Sequence, residues 1–415
     1  MISDGVLRSV DAAIAKNFDS QVTFLSRLVR TSSQNPFTPE MSSAQEPVEA
    51  EVAEVIAAKL KSMKLFPRKM GVSAKRPNVV CNLGPRRYRK SLLLNAHMDT
   101  LAIDDKGKGS PLSGTVRKDK LYGLGALDMK GTISAYIYAV KALQDLAVNL
   151  DGKLTMAFVV DEEPGACSEW GTKYLLTRGV RAKAAIIGEP WTHTIAVGHR
   201  GGYRFKLTTY GEAVHTGLSL WEKKKMGRNA IVDMMEVVRM LRRMEIPFKS
   251  AKMFPGRKPV FTFPTLIEGG RSINVVPDRC SAYGDVRLMP GNSGEQVKIW
   301  VCDRLARIAG LKFEIEDLLF VPAVEIDPKE EIVSKLAENA KEVLGSRPQI
   351  RGVGPWNDAW MYITHDIPAI GGFGPDGANP HQADEWVSLS SLKQVTAIYA
   401  RTIIDYLGLR DKDKK

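Results

Sequence analysis

Imidazole and carboxylate side chains directly follow several short apolar segments of this 415-residue chain. They are His97, Asp99, Asp161, Glu162, Glu163 and Glu189. Short apolar segments bounded by turn residues are typical of buried strands. Because sites in open α/β sheets form at the carboxyl ends of strands, we expect these side chains to meet at one edge of a sheet.

Two further residues, Asp128 and His381, follow glycine-containing segments and complete a set that favours a metal site. Carboxylates that crowd together repel one another unless cations neutralise them. Imidazole and carboxylate ligands without thiolate are typical of a catalytic rather than a structural zinc site. Two ions roughly 3.5–4 Å apart would activate a bridging water and polarise a carbonyl group.

Each of these signals has an ordinary alternative. A histidine at a strand end is often only a core or surface residue, and an acidic triplet often begins a helix, where it interacts favourably with the helix dipole. Gly123 and Gly125 are a weak signal for phosphate binding, because neither a third glycine nor a Lys-Ser pair follows at the required spacing. The ordered occurrence of the set at successive strand ends favours the metal site.

Apolar periodicity predicts the elements that position these residues. The predicted helices cover 1–20, 48–64, 131–146 and 388–407. The predicted strands cover 78–84, 91–97, 154–160, 184–188 and 368–374. Strands that alternate with helices favour an α/β fold, with a mostly parallel sheet that is covered on both faces.

The pattern changes after residue 200. Predicted strands at 203–208, 259–268, 273–288 and 312–320 combine with predicted helices at 229–244 and 294–309. This β-α-β-β-α-β order matches a ferredoxin-like α+β unit. Because helix and buried strand return after Pro328, we predict one domain made of residues 1–200 and 326–415, with a second domain, 201–325, inserted into it.

Composition restricts the class of protein. The formal net charge of +12 would attract acidic substrates. The basic residues are spread out and lack the interleaved aromatic residues of a nucleic-acid platform, so no nucleic-acid partner is predicted. The four cysteines form no Cys-x-x-Cys pair, which favours reduced thiols. Neither a signal peptide nor a membrane span is predicted, and we therefore expect a cytoplasmic protein.

Five motifs follow one another along the chain. They are Asn95–Thr100, Gly123–Gly131, Asp161–Glu163, Gly188–Pro190 and His381–Glu385. With these motifs in this order, nearly the whole chain resembles the M20 metallopeptidase family, of the acetylornithine deacetylase, succinyl-diaminopimelate desuccinylase and carboxypeptidase G2 type. The resemblance implies a zinc-peptidase-like catalytic domain, an inserted ferredoxin-like dimerisation domain, and a homodimer.

The resemblance also implies a role for each residue of the predicted metal site. The implied ligands of one ion are His97 and Glu189. Those of the other ion are Glu163 and His381, and Asp128 bridges the two. The implied ions are zinc, with cobalt as a possible substitute.

Two acids of the set have implied roles other than metal binding. Asp99 would orient His97 from outside the ligand set, because a ligating histidine usually needs such a partner. Glu162 would act as the general base, taking a proton from the attacking water and passing it to the leaving amine.

In the inserted domain, segment 211–217 is similar to a family segment whose histidine reaches the partner subunit's active site. Here that residue is His215, and its implied role is to stabilise the oxyanion of the tetrahedral intermediate. Asn274 and Arg287 fall where the family binds the substrate carboxylate, a task that suits the guanidinium fork. Two structural alternatives stay open. His215 could sit on a strand edge, and Arg287 could pair with Asp285.

Segment 354–359 departs from the family, which often has Gly-Gly-Thr/Ser-Asp at this point. Trp356 adds bulk there, so the substrates of the named family members do not transfer directly. Trp170 and Cys167 could shape the pocket or simply pack, and Cys167 is a further, less favoured candidate for contact with a metal.

The predicted reaction is hydrolysis of an amide bond in a small N-acyl amino acid or dipeptide that carries a free carboxylate. One alternative keeps the two metals but cleaves a non-peptidic C–N bond, as in an aromatic amine or amidine. An alternative of another class is a non-catalytic binding protein with a basic surface.

Overall fold

The computed structural model of the chain describes residues 4–35, 49–102, 109–163 and 168–410. Its helices are Asp4–Arg30, Glu49–Ser62, Gly131–Asp145, Thr172–Thr177, Ser219–Glu222, Ala230–Leu241, Gly294–Leu305, Glu331–Leu344, Ala359–Ile363 and Leu389–Leu407. In the described ranges, none of them combines the length and the apolar character that crossing a bilayer requires. Cys167, for which a role was considered, lies outside the described residues.

The strands are shorter and more numerous than the helices. They are Gln34–Asn35, Arg68–Ser73, Arg76–Leu83, Ser91–His97, Thr100–Leu101, Thr115–Arg117, Lys120–Tyr122, Lys153–Val159, Ala184–Ile187, Thr194–His199, Gly201–Tyr210, Val260–Gly269, Arg279–Leu288, Lys312–Val321, Val324–Glu325, Gln349–Val353, Ala369–Ile370, Gly377–Ala378 and Trp386–Ser388. Contacts between residues divide the chain into two compact units.

The first unit contains Met1–Gly198, Glu325–Val353 and Asn357–Lys415, and the second contains His199–Val324. The three residues Gly354–Trp356 also belong to the second unit, although the chain before and after them belongs to the first. No sequence pattern predicted this short excursion. The catalytic function predicted for residues 1–200 and 326–415, and the dimerisation function predicted for residues 201–325, stay predictions.

A six-stranded sheet forms the centre of the first unit. Its strand order is 369–370, 184–187, 91–97, 153–159, 76–83 and 68–73. The first three pairings are parallel and the last two are antiparallel. The sheet confirms the α/β class, with antiparallel strands confined to one edge.

The predicted strand over 368–374 is reduced to two residues, Ala369 and Ile370. Beyond Ile370 the backbone leaves the sheet and pairs elsewhere. The N–H of Gly371 donates to the Ala196 carbonyl at 2.7 Å, and the Ala196 N–H donates to the Gly372 carbonyl at 2.9 Å. A buried backbone N–H or carbonyl group can form its hydrogen bond within the sheet or with a segment outside it. An apolar sequence is compatible with both.

Both faces of this sheet are covered, which explains why strand Ser91–His97 is buried at every position. Helices Thr172–Thr177 and Ala359–Ile363 pack with Leu93 and its neighbours on one face. Helices Gly131–Asp145 and Leu389–Leu407 contact the same strand and pack on each other. A strand buried on both faces reads as a continuous apolar run, as this one does.

The second unit is built on an antiparallel sheet, on which helices Ala230–Leu241 and Gly294–Leu305 pack, and it also contains the short helix Ser219–Glu222. Its strand order is 260–269, 279–288, 201–210 and 312–321, which is the ferredoxin-like arrangement. Asn229 caps helix Ala230–Leu241, and Ser293 forms a capping box with Gln296 at the next helix.

The strand predicted over 273–288 begins only at Arg279. The six preceding residues form a loop that contains Pro277, which has no N–H to donate to a strand pairing.

Candidate metal centre

The topology of the first unit brings the predicted ligands together. His97 is the last residue of strand 91–97, which lies between strands 153–159 and 184–187 in the sheet. Both neighbours run parallel to it, so all three strands end at the same edge. The acidic triplet after one neighbour and Glu189 after the other therefore flank His97.

Two groups of three side chains have the geometry of metal ligands. The first group is His97, Asp128 and Glu189, and the second is Asp128, Glu163 and His381. Within each group, one ligand atom per residue lies within 4.8 Å of the others.

Asp128 belongs to both groups and presents one carboxylate oxygen to each. Its Oδ1 lies 3.1 Å from His97 Nε2, and its Oδ2 lies 3.2 Å from His381 Nε2. The second group is closed by Glu163, whose Oε2 lies 3.5 Å from His381 Nε2. This is the arrangement that a carboxylate bridging two cations requires.

The electrostatics of the cluster favour bound cations. Burial, reinforced by Asp128, raises the pKa of the Glu163 carboxyl to about 8. Burial and the Asp128 carboxylate likewise raise the pKa of Glu189. Burial also opposes ionisation of Asp128, but hydrogen bonds to two imidazoles hold its pKa below the usual range. A buried oxygen, Oε1 of Glu163, has no hydrogen-bond partner among the described residues, so a cation fits there.

Glu162 lies beside the two groups but belongs to neither. Its Oε2 is 4.0 Å from His97 Nε2, and the residue is only 8% exposed. Burial, together with the nearby carboxylates of Glu189 and Asp358, raises the pKa of Glu162. A carboxylate with increased basicity next to the ligands suits the role of a proton acceptor.

Asp99 was predicted to orient His97, and the structure divides that task between two parts of the residue. His97 Nδ1 hydrogen-bonds the Asp99 backbone carbonyl at 2.9 Å, whereas the Asp99 carboxylate is 3.7 Å away. That carboxylate instead accepts the backbone N–H groups of Glu162 and Glu163, at 3.3 and 3.1 Å. The backbone carbonyl of Asp99 thus fixes the orientation of the His97 imidazole, and the Asp99 carboxylate stabilises the turn that contains Glu162 and Glu163.

Comparison with known proteins identifies the family. The family model described as peptidase family M20/M25/M40 matches residues 93–405, which include every predicted metal ligand. The chain belongs to this family. It is therefore a metal-dependent amidohydrolase, and the alternative of a non-catalytic binding protein is not retained.

Three relatives illustrate the range of the family. N-formyl-4-amino-5-aminomethyl-2-methylpyrimidine deformylase of Halalkalibacterium halodurans is 26% identical, over 99% of this chain and 100% of its own. Succinyl-diaminopimelate desuccinylase of Dinoroseobacter shibae is 26% identical, over 80% and 87%. The structure of a dinuclear metal-binding M20 peptidase of Bacillus subtilis shares the fold, with a TM-score of 0.69, 17% identity, and coverage of 94% and 99%.

Glu385 is a residue of this centre to which the sequence patterns assigned no role. It is completely buried, and its carboxylate accepts three backbone N–H groups. They come from Gly125 at 3.0 Å, Leu127 at 2.7 Å and Asp128 at 2.9 Å. Because Glu385 follows His381 by four residues, it ties together the segments that carry two ligands of the second group, Asp128 and His381. The only sequence signal was its place in the last family motif.

We predict that Glu385→Gln weakens metal binding by about 10–100-fold, because the amide NH₂ would face a backbone donor in place of an acceptor. Competition with a chromophoric zinc chelator would measure this change. Glu331→Gln, an exposed change in the same unit, is the control and should bind zinc as the wild type does. Unchanged affinity in the Glu385 variant would remove this positioning role.

Arg76 supports the acidic triplet from behind and also escaped prediction. Its buried guanidinium pairs with Glu49 at 2.5 Å and with Asp161 at 3.1 Å. The Trp170 ring lies 5.1 Å from the same guanidinium, and the backbone N–H of Trp170 donates to the Asp161 carboxylate at 3.3 Å. Of the two roles considered for Trp170, these contacts correspond to packing.

The remaining predicted residues lie in the second unit. His215 and Asn274 are exposed neighbours, with His215 Nε2 3.3 Å from Asn274 Nδ2. An isolated bridge pairs His215 with Val275, so the histidine does lie at a strand-like edge.

Arg287 has partners of its own in this unit. Its Nε donates to Asp285 at 2.7 Å, which is the structural pair considered as an alternative. Its guanidinium also lies 4.3 Å from the centre of the Trp356 ring. Trp356 fits there because it packs on Gly202, where an added Cβ would stand only 2.4 Å from the ring.

Proposed function

We propose that the chain hydrolyses the amide bond of a small N-acyl amino acid or dipeptide that carries a free carboxylate. The observation that supports this most is the pair of ligand groups sharing Asp128, with Glu162 beside them and outside both groups. The proposed substrate-binding residues for the carboxylate are Asn274 and Arg287.

The donor set fits two divalent cations. Imidazole and carboxylate ligands without thiolate suit zinc in a catalytic site, with cobalt as a substitute. The Bacillus subtilis peptidase is described as binding a dinuclear metal centre, which supports two cations per chain here. Bound cations would polarise the scissile carbonyl group and lower the pKa of water.

Glu162 carries the proton in this proposal. It accepts a proton from the attacking water and then delivers it to the leaving amine. Asp99 and Arg76 keep the turn around Glu162 in place, through the hydrogen bond to its N–H and the ion pair with the preceding Asp161.

His215 is proposed to donate a hydrogen bond to the oxyanion in the active site of the partner subunit. Its Nδ1 accepts the backbone N–H of Gly217 at 3.1 Å. The Asn274 Nδ2 lies 3.3 Å from Nε2, so Asn274 has to turn aside when Nε2 carries the proton and donates it to the oxyanion.

A second candidate reaction keeps the same machinery but uses a non-peptidic amide. The Halalkalibacterium halodurans relative, named as a deformylase of a formylated aminomethylpyrimidine, matches this chain from end to end. Trp356, where the family often has small residues, adds an aromatic surface for such a ring. The basic surroundings of Trp356 favour an anionic substrate, so the carboxylate-bearing amide is placed first.

A substrate panel tests this order. N-acetyl, N-succinyl and N-formyl amino acids, dipeptides, and a formylated aminomethylpyrimidine would be incubated with enzyme loaded with zinc or cobalt. Release of free amine from an anionic substrate, abolished by a chelator, supports the first candidate. Turnover of the pyrimidine alone would overturn it in favour of the second.

We further propose that the second unit forms a homodimer. Strand 260–269 is at one edge of its sheet and carries exposed apolar side chains, including Leu266 and Ile267. Val232 and Met235 on helix Ala230–Leu241 are also exposed. An edge strand and a helix with apolar side chains can pair with their copies around a two-fold axis.

Mixing two inactive variants tests both the dimer and His215. We expect His215→Ala and Glu162→Gln to recover activity when refolded together, because a mixed dimer has one site with both intact residues. About one site in four would be active in a random mixture of subunits. Mixing His215→Ala with His215→Gln is the matched control and should restore nothing. No recovery in the first mixture would contradict the shared site.

The predicted cytoplasmic location stays a prediction. Three cysteines within the described ranges, Cys81, Cys280 and Cys302, are free thiols, which supports a reducing compartment. Localisation of a tagged chain in cells of the source organism would test it.

A further inference from the structure

A cavity in the first unit lies away from the metal centre, and none of the ligands or proposed catalytic residues lines it. Its volume is about 380 Å³, which is within the range of small-molecule pockets. Helix Gly131–Asp145 and strand Lys153–Val159 both contribute to its walls, together with the turn after strand Arg76–Leu83. We call it the aliphatic cavity.

Most side chains that line the aliphatic cavity are apolar. Val140 and Leu143 come from the helix and Leu154 from the strand, and each of the three is at most 4% exposed. The other aliphatic side chains of the lining are Leu83, Val148 and Leu150. A hydrocarbon chain placed against these walls would gain about three- to fourfold in affinity for each CH₂ group that leaves water.

One guanidinium group, that of Arg410, lines the same cavity. The backbone N–H of Arg410 donates to the Asn149 carbonyl at 2.9 Å, and an isolated bridge pairs Leu150 with Leu409. These contacts keep the exposed Arg410 at the cavity wall. Since no carboxylate among the described residues pairs with Arg410, its guanidinium fork is available to a carboxylate of a ligand.

Residues next to the lining in sequence add further positive charge. Arg86 and Arg87 directly follow a residue of the lining, and both are exposed and without an ion-pair partner among the described residues. Of the two acids close to the lining in sequence, Asp145 already pairs with Lys141. Asp151 alone does not offset three guanidinium groups, so the surroundings favour an anionic ligand.

We propose that the aliphatic cavity binds a small amphipathic anion, a straight-chain carboxylate of medium length. Its carboxylate would lie at Arg410, and its hydrocarbon chain along Val140, Leu143 and Leu154. The single guanidinium fork in the lining matches one carboxylate, and the aliphatic walls match an unbranched chain. The proposal uses no residue of the hydrolytic reaction, so failure of one leaves the other standing.

Calorimetric titration of the full-length, zinc-loaded protein with hexanoate, octanoate and octanol tests the site. We expect one octanoate per chain. Octanoate should bind about tenfold more tightly than hexanoate, because it has two more CH₂ groups to bury. Octanol should bind more weakly than octanoate, because it has no charge to pair with the guanidinium group.

Three variants make the result specific. Arg410→Gln should weaken octanoate binding about tenfold and leave octanol binding unchanged. Arg351→Gln removes the same charge from another exposed position of the first unit, and it should bind octanoate as the wild type does. Asn149→Trp changes no charge but fills the cavity from an exposed position of its lining, and it should abolish binding of both compounds.

Octanoate that bound at the metal centre would be insensitive to Arg410→Gln and Asn149→Trp. The proposal is therefore overturned if octanoate does not bind, or if its affinity is the same in the wild type and these two variants. Octanol binding as tight as that of octanoate would also overturn it. Binding to anionic phospholipid vesicles without binding to free octanoate would overturn it in favour of a membrane surface.

Discussion

Replacement of Glu162 by glutamine is expected to lower kcat by about 10²–10⁴-fold while both metal ions stay bound. The amide cannot accept the proton of the attacking water, although it has nearly the shape of the carboxylate. Glu162 belongs to neither ligand group, so the cations keep all their predicted ligands. Metal content by elemental analysis and turnover on the best panel substrate would be measured on the same sample.

The control for this experiment is Glu169→Gln. Glu169 lies seven residues along the chain from Glu162, with its side chain largely in solvent and paired only with Lys173 among the described contacts. It should retain wild-type kcat. If Glu162→Gln kept full turnover with two metals bound, Glu162 would not be the base, and another group would have to take the proton.

The second large effect is expected at Asp128, because it is the only residue that the two ligand groups share. Asp128→Ala should lose high-affinity binding of both ions, and with it all measurable activity. Glu189→Gln should be different, since the group of Asp128, Glu163 and His381 is left intact. Metal per chain after dialysis would be below one for the first variant and close to one for the second.

Chelation and reloading complete this test. Wild-type enzyme stripped of metal should be inactive and should recover with zinc or cobalt, whereas Asp128→Ala should not recover. Asp151→Asn, an exposed change in the same unit, should behave as wild type throughout. Two tightly bound ions in Asp128→Ala would contradict the bridging role.

Much of this arrangement could be predicted from local patterns. Strand 91–97 was predicted and found with the same bounds. A strand that is buried on both faces needs apolar residues at nearly every position, and the turn residues on either side mark its ends. The ordering of polar residues directly after such runs placed His97, Glu163 and Glu189 at one edge. Family motifs supplied the division of ligands between two ions.

Other features depend on segments that are distant in sequence. Glu385 reaches backbone N–H groups about 260 positions earlier in the chain, and nothing in its neighbourhood indicates which ones. Arg76 finds Glu49 and Asp161 only after a strand and a helix have packed. The Asp99 carboxylate binds the backbone of the acidic turn and does not bind His97, because the backbone carbonyl of Asp99 already accepts the hydrogen bond of the imidazole.

The sequence by itself determined which residue types stand at strand ends, and hence that a carboxylate-rich metal site and an α/β fold were expected. Hydrophobic periodicity and strand-end position are local properties, so they can be read along the chain. Only the tertiary structure decided how Asp128 divides its two oxygens between His97 and His381, and that Gly354–Trp356 joins the second unit. Those outcomes depend on which buried donors and acceptors meet after folding, and packing between distant segments settles that.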